Sequence, residues 1–119
     1  MQFYAALVED ETATNAFDPH GLMETNAREF IERTDFRRQY LGVVQIGGIN
    51  SSMRVRVPDV SESTVNLTVI ASLEDEPPYS EDRVITTLLI RVTRTRQTVP
   101  DNIRVELSID GRHEVFTGD

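Results

Sequence analysis

Cysteine is absent from this 119-residue chain, lysine is absent as well, and histidine occurs only twice. Without cysteine there is no disulfide framework, no thiolate nucleophile and no thiolate-ligated metal. No apolar run approaches the 18 residues or so that a transmembrane helix requires, so no membrane partner is expected. The opening MQFYAALVEDE lacks a basic n-region and a long apolar stretch, and does not read as a secretory signal. Cationic charge is also short, with 12 basic side chains against 20 acidic ones and a net charge of −8. That balance opposes general binding to nucleic acid or anionic membranes, which depends on cationic fields.

The missing lysine carries information of its own, because lysine is normally among the commonest residues and here all twelve bases are arginine. GC-rich coding would favour arginine but should also raise alanine and glycine, and each occurs only six times. Concentrated salt is the better physical reason. At molar ionic strength the screening length falls to about 3 Å, so an acidic surface no longer repels itself at full strength. Carboxylates stay well hydrated there, whereas a lysine stem exposes a long apolar chain for one charge. The composition resembles that of extreme halophiles, haloarchaea and their viruses in particular.

Residue patterning predicts one domain. Residues 2–8 (QFYAALV) alternate and read as a short strand, followed by a polar, acidic arm to Phe17. Asp18-Pro19 is a helix-start signal, and Met23, Ala27, Phe30, Ile31 and Thr34 share one stripe, which predicts an amphipathic helix over 20–34. From Gln39 onward the period is two. The expected strands are 39–46, closed by Gly47-Gly48; a half-buried one through Met53, Val55 and Val57, stopped by Pro58; one through Val65, Leu67 and Val69; and 84–96. The last of these begins apolar on both faces and reads as central in its sheet. Ile103, Val105, Leu107 and Ile109 alternate into Asp110-Gly111, the turn pair of a type I′ hairpin leading to 112–116. Six or seven strands with one helix predict a mainly β fold, an antiparallel sandwich or small barrel.

No motif names a reaction. His20 and His113 have no metal-ligand spacing, no serine sits in G-x-S-x-G, and no glycine-rich phosphate loop occurs. The segment 74–82 (EDEPPYSED) holds five carboxylates but lacks a calcium-loop pattern, and is expected to be a solvated connection. Two glycosylation-like triplets, Asn50-Ser51-Ser52 and Asn66-Leu67-Thr68, are expected to be accidental. No catalytic residue, metal or cofactor is therefore expected.

Charge is arranged in blocks. Net charges run −6 over 1–36, +4 over 37–56, −7 over 57–82, +4 over 83–104 and −3 over 105–119. The basic blocks fall on strands and bring Arg54, Arg56, Arg91, Arg94, Arg96 and Arg104. The acidic ones fall on the arm and a loop, with Glu9, Asp10, Glu11, Glu74, Asp75 and Glu76. Either these groups pair within one molecule, at about 0–1 kcal/mol per exposed pair, or an arginine-bearing sheet face docks the acidic segments of another copy. Arginine suits the second use through its planar, weakly hydrated fork, and a head-to-tail contact of that kind makes rings or tubes. In molar salt such contacts require burial or apolar backing.

A small β-rich chain with one helix, an extended arm and this composition resembles the tail-tube, head-to-tail connector and capsid-associated proteins of tailed viruses, here of a halophilic archaeal host. The resemblance rests on size, architecture and composition across the chain and transfers no functional residue. It implies a non-enzymatic virion protein whose partners are copies of itself and other virion proteins, in a ring, tube or lattice, with no specific nucleic-acid binding. The alternative expectation is a cytoplasmic β-sandwich module of a halophile that binds a protein or small ligand in an apolar concavity.

Overall fold

The structure is a computed structural model and describes residues 1–10, 25–96 and 98–119. Seven strands and one helix follow in the order β1 (Gln2–Val8), α1 (Thr25–Glu32), β2 (Gln39–Ile49), β3 (Met53–Glu62), β4 (Asn66–Asp75), β5 (Val84–Thr93), β6 (Asn102–Ile109) and β7 (Arg112–Gly118). They form two sheets, β1-β2-β5 and β3-β4-β6-β7. The mainly β, sandwich-like class expected from the period-two patterning is what the chain adopts. Four of the five ladders are antiparallel, while β4 and β6 run parallel because the chain crosses to the other sheet as β5 between them.

Strand β2 explains the layering. Its alternate residues Tyr40, Val44 and Ile46 face the four-stranded sheet and join Leu67, Val69, Leu73, Ile103, Val105 and Leu107 in one continuous core. The other set, Leu41 and Val43, packs with Val8 and Ile31 beneath the helix. Both sets are fully buried, so β2 presents apolar side chains to both layers, and each such side chain contributes about 1.5–3 kcal/mol on leaving water. The helix keeps the predicted stripe where it is described, with Ile31 and Thr34 buried and Ala27 and Phe30 half-buried. Asp18-Pro19, His20 and Met23 lie outside the described residues.

Two glycines set how closely the layers approach. At Gly42 an added Cβ would stand 2.9 Å from Leu67 Cδ2 and 3.2 Å from Ile103 Cδ1, so the missing side chain admits two leucine-sized groups from the facing sheet. At Gly118 it would stand 1.7 Å from the Ala5 carbonyl oxygen. There β1 and β7 meet backbone to backbone and close one side of the sandwich, helped by Phe3 stacked on Phe116 at 5.0 Å.

Three expected strand limits are corrected. Gly47-Gly48 does not end β2; Gly48 takes φ +75° and the register against β5 shifts between Gly47 and Ile49, so the pair forms a bulge inside the strand. Pro58 does not stop β3, because that strand lies at a sheet edge and the register against β4 shifts between Arg56 and Asp59, which removes the need for the missing N–H. Strand β5 is an edge rather than a central strand, and it ends at Thr93. The Asp110-Gly111 turn is as expected, both residues having positive φ (47° and 85°).

Candidate functional site

The six arginines singled out by charge patterning fall in three places. Arg54, Arg56 and Arg104 project from the outer face of the four-stranded sheet, where Arg56 registers with Ser72 and Arg104 with Thr68 and Thr117. Arg91 points from β5 to the helix side. Arg94 and Arg96 follow the end of β5. One continuous face bearing all six does not exist.

Arg91 is engaged within the molecule. The last turn of α1 carries no basic residue of its own, and its terminal carbonyls lack intrahelical partners. Arg91 reaches across from β5 to one of them, donating from Nη2 to the Phe30 carbonyl at 2.7 Å, which also accepts from Thr34 Oγ1 at 2.8 Å, and from Nε to Thr34 Oγ1 at 3.2 Å. Its guanidinium also lies 4.0 Å from the Phe30 ring centroid. Placing a cation at a helix C-terminus and over an aromatic face is favourable on both counts.

Arg94 is half-committed, its amide donating to the Arg38 carbonyl at 2.7 Å and its Nε to the Gln39 carbonyl at 3.3 Å. Nearby, the buried Tyr40 hydroxyl donates to the Glu62 carboxylate, which also accepts from Thr95 Oγ1 at 3.0 Å. This link joins the centre of one sheet to the edge of the other. Burial, then the hydrogen bond and charge of Glu62, hold the Tyr40 hydroxyl far above its ordinary pKa. Arg96 is exposed.

The acidic residues separate in the same way. Glu9 and Asp10 are exposed just beyond β1, and Glu11 lies outside the described residues. Glu74 is exposed in register with Arg54. Glu76 forms an ion pair with Arg56 at 3.0 Å, and that hydrogen bond is the main reason the guanidinium is held above its ordinary pKa. Both partners are substantially exposed, so the pair adds little stability.

Asp75 belongs to a serine clamp that sequence spacing could not reveal. The buried Ser52 donates its hydroxyl to Asp75 Oδ1 at 2.6 Å and its amide to Ser80 Oγ at 3.0 Å. Ser80 returns its amide to Ser52 Oγ at 3.0 Å. The Ser51 amide donates to Asp82 Oδ1 at 3.1 Å. Hydrogen bonds from Ser80 foremost, then from Ser51, bring Asp82 down to about 2. The loop 76–83 is thus an exposed connection between β4 and β5 that is also tied to the β2–β3 turn. Serines 28 residues apart offer no local pattern by which to foresee this.

A shallow depression of about 360 Å³ opens beside the β6–β7 turn, lined by Ser72, Glu74, Asp75, Ser108, Asp110 and Gly111, with Leu73 its one apolar side chain. Its lining is polar and acidic. His113 sits on the adjacent outer face, exposed, with Nδ1 3.3 Å from Ser108 Oγ.

No protein-family model, curated protein or solved structure matches this chain.

Proposed function

We propose that this chain is a non-enzymatic structural protein of a virus particle, working in concentrated salt and assembling with copies of itself. The observation that carries the reading is the outer face of the four-stranded sheet. Ile70, Glu106 and Val115 lie opposite one another in a cross-strand row, with Ile70 38% and Val115 50% exposed. Rows bearing Arg104 and Arg56 flank it on either side. The row also holds Asp59 beside Glu106, and what it offers a partner is two exposed apolar side chains with arginines alongside, the latter a residue type enriched at protein-binding surfaces. The two apolar side chains also meet the requirement set by molar salt, where charge pairs alone are weak and apolar backing must supply the contact. The arginine-only basic set and the acidic surface support the high-salt setting.

The alternative of a small-ligand module in a halophile's cytoplasm calls for an apolar concavity. The depression beside the β6–β7 turn has a polar, acidic lining, which favours the assembly reading.

Mass in solution tests the proposal. Sedimentation over a range of protein concentrations, at low and at molar salt, should show association into rings, tubes or smaller closed oligomers. A concentration-independent monomer under every condition would overturn it.

A further inference from the structure

Strand β5 combines the sequence of a central strand with the position of an edge strand. Its run Val84–Ile90 (VITTLLI) carries no charge and no proline, and the three residues Leu88, Leu89 and Ile90 supply apolar side chains to both faces. In β2 the residues paired with these three are fully buried, whereas Leu88, Leu89 and Ile90 are only half-buried. Ile85 is 70% exposed. Among the described residues β5 pairs with β2 alone, which leaves the opposite row of backbone N–H and C=O groups open.

The other three edges are protected. β1 and β7 lie against each other at Ala5 and Gly118. β3 carries Pro58, a bulge, Arg54 and Arg56, the devices by which edges resist pairing. β5 has none of these along seven residues, and an uncharged, uninterrupted edge is a template for another strand.

Charge at its two ends specifies the partner. Glu81 and Asp82 precede the strand, and Arg94 and Arg96 follow it. In an antiparallel pair of identical strands the acidic end of each meets the basic end of the other. Centred on Leu88 and continued just past the strand ends, such a pair sets Asp82 opposite Arg94 on one face, while Arg83 falls opposite Thr93 and Arg91 opposite Ile85. No like charges face each other.

We infer that β5 is a seam between two copies of this chain, which join edge to edge about a two-fold axis into one continuous six-stranded sheet, β1-β2-β5 followed by β5-β2-β1 of the second copy. The contact is isologous. It deepens the assembly reading and rests on it, adding the strand, the direction and the stoichiometry of a first step.

The test uses Ile85→Lys and Ile85→Glu, at a 70% exposed position that the two-fold pair sets opposite Arg91 on the same face. Association is read by sedimentation and native mass spectrometry at low salt, and amide exchange across 84–93 is followed with and without association. Ile85→Lys should associate about tenfold or more weakly because it sets like charges opposite each other, and Ile85→Glu should associate more tightly than Ile85→Lys because it meets the same arginine with the opposite charge. The outward amides of β5 should be protected only in the associated form. Oligomers that persist undiminished in Ile85→Lys with those amides unprotected would overturn the β5 seam while leaving self-assembly intact. A wild-type chain that never associates would overturn both.

Discussion

Arg91 covers the ring of Phe30 at 4.0 Å and accepts the negative end of the helix by donating to the carbonyl of the same residue. A strand side chain thereby joins Thr34 in capping a helix with no terminal base of its own. Arg91→Ala should destabilise the fold by about 1–2 kcal/mol, combining the loss of a helix-end cation with that of a cation–π contact. Denaturant midpoints measure the loss, and amide exchange should localise it to 28–34. A change confined to β5 with the helix end unaffected would show that Arg91 does not act as its cap.

Gly42→Ala introduces a methyl group 2.9 Å from Leu67 Cδ2. Because Leu67 and Ile103 are both fully buried, neither can swing aside into solvent. Overpacking of this kind costs about 1–3 kcal/mol, and the thermal midpoint should fall accordingly. An unchanged midpoint would mean that the sheets are more loosely apposed than described.

The Tyr40–Glu62 link predicts an alkaline limit. A hydroxyl whose pKa is raised on folding keeps its proton where the unfolded chain has lost it, so stability is full below the ordinary tyrosine value near 10 and falls as pH rises beyond it. Tyr40→Phe should remove most of that alkaline decline and, at neutral pH, cost about 1 kcal/mol from the hydrogen bond it deletes. Urea titrations at neutral and alkaline pH compare the two. Equal alkaline slopes in both proteins would contradict the assignment.

The serine clamp predicts an acid limit for the loop. Asp82, lowered to about 2 from an ordinary 3.8, contributes its tie above the ordinary value and loses it as pH falls through that interval. Protection of the Ser51 amide relative to its intrinsic exchange rate should fall over this range, whereas in Asp82→Asn that protection should barely depend on pH within it. Ser80→Ala should loosen the loop at every pH. A Ser51 amide insensitive to both substitutions would remove Asp82 from the clamp.

What the sequence shows plainly is whatever a strand or turn writes locally. The alternation Ile103, Val105, Leu107, Ile109 places β6 with its inward face, and Asp110-Gly111 carries its own backbone requirement. Which strand lies beside which is another matter. The parallel pairing of β4 with β6 leaves no mark in either strand's alternation, since each would look the same beside an antiparallel neighbour. Proline and paired glycine read as strand ends, but at an edge or a bulge the missing N–H and the positive φ are accommodated, so β2 and β3 run on. Arg91 and Phe30 lie 61 residues apart and Ser52 and Ser80 lie 28 apart. Charge blocks located the arginines and acids but could not divide those held inside the molecule from those left facing outward.

The alternation of the chain between its sheets has a kinetic consequence. It lays down β1 and β2 in one sheet, β3 and β4 in the other, then returns for β5 before finishing with β6 and β7. Neither sheet comes from one stretch of chain, so an emerging polypeptide completes its first layer only with β5 and the facing layer only when β6 and β7 have been made. Pairings at such separations must close large loops before they stabilise anything, which places folding on the slow, millisecond-to-second side of single domains and makes it one concerted event. Until then the uncharged edge of β5 stands open, and the timing of its capture decides whether the strand finds its partner or aggregates.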